Sequence, residues 1–212
     1  PNLSQAAVKK QMNVVKSQIE RGLNMLAFFV IPSQIVLIFY SKEIVSLIYK
    51  RGAFSEDMIV VTSQALTFYS VGLLFFSTIH LLTRSHYVFK DRKRPVISSF
   101  VGIGINIALD FLLYKQYKHM GLTFATSTAA MVNYLILLLS LNKNYIKLDF
   151  LKYIKFIVIT LIISGIAYIV SSFIPEIGDF RISIVIKLII FAVVYLLLWS
   201  PKIIKQKINM FG

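Results

Sequence analysis

The chain has 212 residues, of which 57% are hydrophobic and 15% charged. A soluble domain is nearer 45–50% apolar and ~25% charged, so this composition excludes a surface made for water. Lysine and arginine number 23 against 9 acidic residues, a net charge of +14. That excess sits in short segments between apolar runs, which argues against nucleic acid as the partner and for membrane topology and lipid headgroups.

There is no cysteine, hence no disulfide and no thiolate metal site. The first residue is Pro1 rather than Met, so the sequence is expected to be a piece of a longer protein.

In chain order, residues 2–20 read as an amphipathic interfacial helix. Val8, Met12, Val15 and Ile19 share one helical face, with Lys9, Lys10 and Lys16 elsewhere. A bilayer core of ~30 Å needs about 20 apolar residues as helix, and six runs meet that length. They are Gly22–Tyr40, with Pro32 near its middle, then Ile59–Leu82, Val96–Tyr114, Gly121–Leu141, Phe156–Phe173 and Ile182–Trp199. Glu43–Tyr49 is too short to span and is expected at an interface. The tail Lys202–Phe211 is basic and amphipathic.

Orientation follows from the loops. Alternate connections on the side of the N-terminus carry sixteen Lys and Arg, and those on the other side carry six. The positive-inside rule then puts both termini in the cytoplasm, and an even number of spans agrees. The expected fold class is an all-α integral membrane protein, a six-transmembrane-helix bundle. Its units are an interfacial helix over 1–21, a four-helix core over 22–141, a cytoplasmic connection over 142–155, and two lipid-facing helices with a basic tail over 156–212.

Most of the membrane sequence is plain Leu, Ile, Val and Phe, and the exceptions cluster. Ser63, Ser70, Ser77 and Arg84 are seven apart, with Thr67 and His80 on the same drifting face. Gly102, Asn106 and Asp110 are four apart on the third run, and Thr123, Thr126, Ala130 and Asn133 form a stripe on the fourth. Asp110 is the acidic residue well inside an apolar run. A central charge costs about 2.5–3.5 kcal/mol on insertion scales, so it should face the bundle or a wet cavity. Candidate cavity residues are therefore Ser70, Ser77, His80, Arg84, Asn106, Asp110 and Asn133. The competing account makes the same polar groups interhelical packing contacts, with Arg84 snorkelling to the interface. Between the second and third runs lies a dense basic turn with Lys90, Arg92, Lys93 and Arg94, suited to collecting an anionic headgroup.

One spacing points to an enzyme. His86 and Asp91 have the His-x4-Asp spacing of membrane acyltransferases, in which Asp orients His as general base. The second motif of those enzymes is matched only loosely by Phe173-Ile174-Pro175-Glu176, on the opposite side of the bilayer. There is no His-Glu-x-x-His, no Walker loop and no Asp-x-x-Asp pair, so no catalytic residue, metal or cofactor is expected.

An ordered set of short motifs carries a resemblance. Pro1-Asn2-Leu3-Ser4 and Pro32-Ser33 come first, then Lys50-Arg51-Gly52-Ala53-Phe54 and Tyr69-Ser70-Val71-Gly72-Leu73. Tyr87, Asp91 and Pro95 pace the basic turn, followed by Asn106, Gly121-Leu122, Ala125-Thr126-Ser127 and Asn133. Over about residues 1–140 this order resembles the C-terminal half of the MurJ (MviN) lipid II flippases, within the multidrug/oligosaccharidyl-lipid/polysaccharide exporter superfamily. The last two runs agree in hydropathy only.

The resemblance implies one lobe of a two-lobe transporter of the bacterial cytoplasmic membrane. It implies alternating access that moves lipid II, an undecaprenyl-pyrophosphate-linked precursor of peptidoglycan, between leaflets. The implied partners are lipid II, membrane lipids and a missing N-terminal lobe. An exporter of another lipid-linked oligosaccharide, or of drugs or cations, is the alternative.

Overall fold

The computed structural model describes residues 11–52, 54–175 and 178–205, with side chains described as far as Ser200. Residues 2–10 of the expected interfacial helix and the side chains of the basic tail lie outside the described residues. The described chain folds into seven helices: α1 (Met12–Phe39), α2 (Ser41–Tyr49), α3 (Glu56–Val71), α4 (Leu73–Val88), α5 (Lys93–Asn144), α6 (Phe150–Ser172) and α7 (Phe180–Lys205). No strand occurs among the described residues.

Four helices, α1, α5, α6 and α7, are long and apolar enough to cross a membrane. The α3–α4 pair, bent by 41° at its break, is a further candidate span. The 52-residue α5 is itself interrupted at Lys118, where φ is +47°. Its arms, 93–117 and 119–144, double back on each other. Asn106 Nδ2 donates to Thr126 Oγ1 across them at 3.3 Å, and Gly102 faces Ala129 and Asn133. At the neck of this hairpin a Cβ on Gly121 would lie 2.9 Å from the Leu113 carbonyl oxygen, so the close turn requires glycine there.

Local chemistry explains several ends. Ser55 caps α3 by accepting from the Met58 amide at 3.4 Å, and Glu56 and Asp57 in the first turn suit the positive end of the helix. Asp149 caps α6 through the Lys152 amide at 3.0 Å.

The core runs along α1. Val15, Ile19, Leu23, Ala27 and Ile31 recur every four residues, and all are buried. Residues 12–21, expected as part of a separate interfacial segment, thus continue into the first apolar run as one helix. Phe28 of α1 meets Trp199 and Tyr195 of α7 at ring-centroid distances of 5.4 Å each, and Trp199 meets Phe156 of α6 at 5.2 Å. Hydropathy alone assigns the last two helices mostly to lipid. They bury one face in this seam and expose the other, where Phe173 and Leu197 lie.

Pro32 explains one contact in the seam. Proline has no N–H, so the carbonyl four residues earlier loses its helical donor. That carbonyl is Phe28 O, and Tyr195 Oη donates to it at 2.6 Å.

Candidate functional site

A groove of about 340 Å³ opens between α4 and the two arms of α5. Helix α4 contributes Phe76, Ile79 and His80, the first arm Ser99, Gly102, Ile103 and Asn106, and the second arm Thr126, Ala129, Ala130 and Asn133. Small residues at 102, 129 and 130 keep the floor low. A second hollow of about 210 Å³ shares Ser99 and Ile103 and extends the groove past Thr83 and Tyr87 to Pro95, at the basic turn. The groove therefore runs along the bundle from beside the basic turn to His80, Asn106 and Asn133.

Three candidate residues, His80, Asn106 and Asn133, share this lining. Asn106 is held by Thr126, whose own hydroxyl donates to Leu122 O at 2.9 Å. Asn133 Oδ1 is buried with no hydrogen-bond partner, and so is Oδ1 of Asp110, one turn beyond Asn106 on the first arm. A buried acceptor without a donor costs roughly 1–3 kcal/mol, and Asn24 Oδ1 on α1 and Ser164 Oγ on α6 share that condition.

The remaining candidates lie elsewhere. Ser70 and Ser77 donate within their own helices, to Leu66 O at 2.7 Å and Leu73 O at 2.9 Å. Thr67 bonds Ser41 Oγ at 2.9 Å and ties α3 to α2. Arg84 is exposed on α4 outside the groove lining. Lys90, Arg92 and Lys93 of the basic turn are exposed.

Arg94 has a different place. Its guanidinium donates to Asp91 Oδ2 at 3.0 Å and to Tyr145 Oη at 2.6 Å, with the cation 5.4 Å from the Tyr145 ring centroid. Tyr145 Oη donates to Asp91 Oδ2 at 3.1 Å, and Phe89 stacks on the Tyr145 ring at 4.6 Å. Burial alone would raise the Asp91 carboxyl. Hydrogen bonds from the Arg94 amide and guanidinium and from Tyr145 outweigh it and hold the group below its ordinary range.

The same clasp separates the pair that suggested acyl transfer. The buried His86 ring has Nδ1 2.9 Å from Leu82 O and Nε2 3.5 Å from Ser140 Oγ, while Asp91 is engaged with Arg94 and Tyr145. A general base must reach its substrate, and this imidazole is sealed between helices.

Sequence reasoning missed Tyr145, Gln34 and the role of Ser127. Gln34 Nε2 donates to Val71 O at 3.0 Å, and Ser127 Oγ donates to Phe68 O at 2.8 Å, both beside the break between α3 and α4. Gly72, inside an apolar run, was the one visible signal of that break.

Comparison with known proteins places this architecture. A family model described as "MurJ: Lipid II flippase MurJ" matches residues 1–189. The lipid II flippase MurJ of Thermosipho africanus is 37% identical over 131 residues, covering 62% of this chain and 27% of that protein. A probable lipid II flippase MurJ of Thermotoga maritima is 31% identical over 120 residues, covering 57% and 25%. Among solved structures, a lipid II flippase MurJ in an inward closed conformation superposes with a TM-score of 0.75 at 28% identity, covering 95% of this chain and 42% of that one. The chain spans about a quarter of the length of these curated relatives.

Proposed function

The chain belongs to the lipid II flippase MurJ family, and from that premise we propose that it supplies the C-terminal half of a flippase for lipid-linked peptidoglycan precursor. In this reading the α3–α4 pair and the two arms of α5 count as three spans. Together with α1, α6 and α7 they make six, and both termini lie in the cytoplasm of a bacterium. Residues 22–141 form the core of one lobe, and 156–212 add two helices beside it. The partner lobe comes from sequence outside this chain.

The observation that carries the reading is the superposition of nearly the whole chain on an inward closed flippase. The groove gives it a physical basis. A polar headgroup does not cross hydrocarbon unaided, because its groups would lose their water. A cavity between two lobes replaces that water with side-chain partners while the lipid tail stays in the bilayer. Asn133 and Asp110, with acceptors left unpartnered, and His80 and Asn106 beside them are the groups we assign to that task. Ser70, Ser77 and Arg84 have the weaker claim. Lys90, Arg92 and Lys93 attract the anionic pyrophosphate to the cytoplasmic mouth, and Arg94 braces the turn that presents them.

A second reading is supported by Asp110. An unpartnered carboxylate oxygen inside a span also suits a cation, as in an exporter of another lipid-linked saccharide, of drugs or of cations. Reconstitution of the full-length protein in vesicles, followed by transfer of labelled lipid II between leaflets, separates the two. Transfer of lipid II supports the first reading. Transfer of another lipid-linked saccharide with lipid II left in place overturns it.

A further inference from the structure

The α3–α4 span breaks at Gly72, and two backbone carbonyls beside the break, those of Phe68 and Val71, accept from side chains of other helices, while Tyr69 O keeps a backbone donor in the Gly72 amide at 3.1 Å. Ser127 Oγ on α5 donates to Phe68 O at 2.8 Å and lies 3.3 Å from Tyr69 O. Gln34 Nε2 on α1 donates to Val71 O at 3.0 Å. In an unbroken helix the Phe68 and Val71 carbonyls would take the amides of Gly72 and Phe75. Within a bilayer a freed carbonyl has no water to turn to, so broken helices persist only where protein groups take over the lost bonds.

The close approach at the break requires glycine. A Cβ on Gly72 would lie 2.7 Å from Ser127 Oγ, 2.8 Å from the Phe76 ring and 2.9 Å from Ser127 Cα. Two bonding schemes are therefore open to the same carbonyls. In the bent one Ser127 and Gln34 supply the hydrogens, and in a straight one the backbone amides do. Such an exchange leaves the carbonyls satisfied at both ends, which is what a two-state element needs.

We propose that Gly72 is a hinge, and that Gln34 and Ser127 are the two clasps that hold it bent. When both release, the span straightens. Phe76 and His80 begin just past the hinge and line the groove. Straightening therefore carries one wall of the groove relative to Asn106 and Asn133 on the other. The inference rests on the bundle geometry and is independent of what the groove carries.

The chain has no cysteine, so a pair of spin labels can be placed without background. Tyr87→Cys near the end of α4 and Leu151→Cys near the start of α6 are both exposed positions. In the full chain in lipid nanodiscs, the parent protein should give mainly the bent distance. Swinging the α4 label through the 41° bend at 1.5 Å of rise per residue moves it by about 15 Å. Gln34→Leu with Ser127→Ala should raise the straight population at least tenfold. Asn106→Ala, in the groove but away from the clasps, should leave the distribution as in the parent. A folded double variant with the parent distribution overturns the proposal, because packing alone would then set the bend. Should the double variant fail to insert, Ser127→Ala and Gln34→Met are read singly. Each must move the distribution toward the straight form, and no movement in either overturns the proposal as well.

Discussion

Two seams of the bundle differ in how closely they pack. Where α1 meets α6 and α7, a helix defect is closed. Pro32 frees the Phe28 carbonyl, Tyr195 takes it at 2.6 Å, and Phe156 and Trp199 seal the surroundings with aromatic rings. Where α4 meets α5, small residues leave a groove of about 340 Å³, and buried oxygens on Asn133 and Asp110 have no partner. The first arrangement yields a rigid seam. Unpartnered buried oxygens occur in both seams, at Asn24 and Ser164 as well as at Asn133 and Asp110, so it is the open groove that marks the second as a surface able to bind something. Stability and transport should therefore separate by seam, and substitutions can test that separation.

The largest effect on folding belongs to the closed seam. Phe28→Ala removes a buried ring contacting both Tyr195 and Trp199 and should cost about 3–5 kcal/mol, read by thermal or denaturant unfolding in detergent. A loss below about 1 kcal/mol would dissolve the contrast. Next come the groove residues. His80→Ala and Asn133→Ala should leave the unfolding midpoint near the parent value and cut flipping by the full-length protein by about tenfold, or roughly 1.4 kcal/mol of barrier. Asp110→Asn, one turn beyond the groove residue Asn106, should leave the unfolding midpoint equal to the parent's or above it, since the Asp110 Oδ1 it replaces has no partner. Equal losses of stability and transport would mean that the groove is packing.

Tyr195→Phe is smaller. It leaves Phe28 O without its donor, at a cost of about 0.6–1.7 kcal/mol for an interhelical bond in a membrane. Restoring a backbone donor with Pro32→Ala should recover part of that loss, and a double-mutant cycle measures how much.

The smallest effect is a pH dependence at the cytoplasmic clasp. The Asp91 carboxyl titrates below its ordinary range in the folded chain. Its contribution to stability is therefore fully present above the ordinary carboxylate value and is lost as pH falls through the lowered one. Arg94→Ala should flatten that acid limb of the unfolding profile without changing the neutral plateau of the groove variants.

The apolar runs and the reversal near Lys118 were readable from hydropathy and charge, whereas the first helix begins at Met12, ten residues before the expected run. The exceptions share a cause. Ser70 and Ser77 looked like one stripe because seven residues nearly close two helical turns. The break at Gly72 intervenes and turns the helix by 41°, so the stripe ends there. A glycine in an apolar run signals only a modest loss of helix stability, about 1 kcal/mol, and does not announce a break. Pro32 did announce a defect, but Tyr195, which fills it, lies 163 positions further along the chain. Ser127 reaches Phe68 across 59 residues, and Tyr145 reaches Asp91 across 54. Such pairings are set by packing between helices, which periodicity within one helix does not encode. His80, Asn106 and Asn133 could be nominated because their stripes fall on faces that do meet.

The proposed function requires the groove between α4 and α5 to face substrate rather than to serve as a packing seam. Cysteine accessibility checks this, in a full-length protein whose cysteines outside these 212 residues, which hold none, have been replaced by serine. Asn133→Cys in the full-length protein, in membrane vesicles, would be treated with a membrane-impermeant maleimide with and without added lipid II. The thiol introduced by Asn133→Cys should be modified and lipid II should slow the modification, while the thiol of Tyr195→Cys in the closed seam should stay unmodified. An unreactive thiol in the Asn133→Cys variant, or one whose labelling lipid II leaves unchanged, would contradict it.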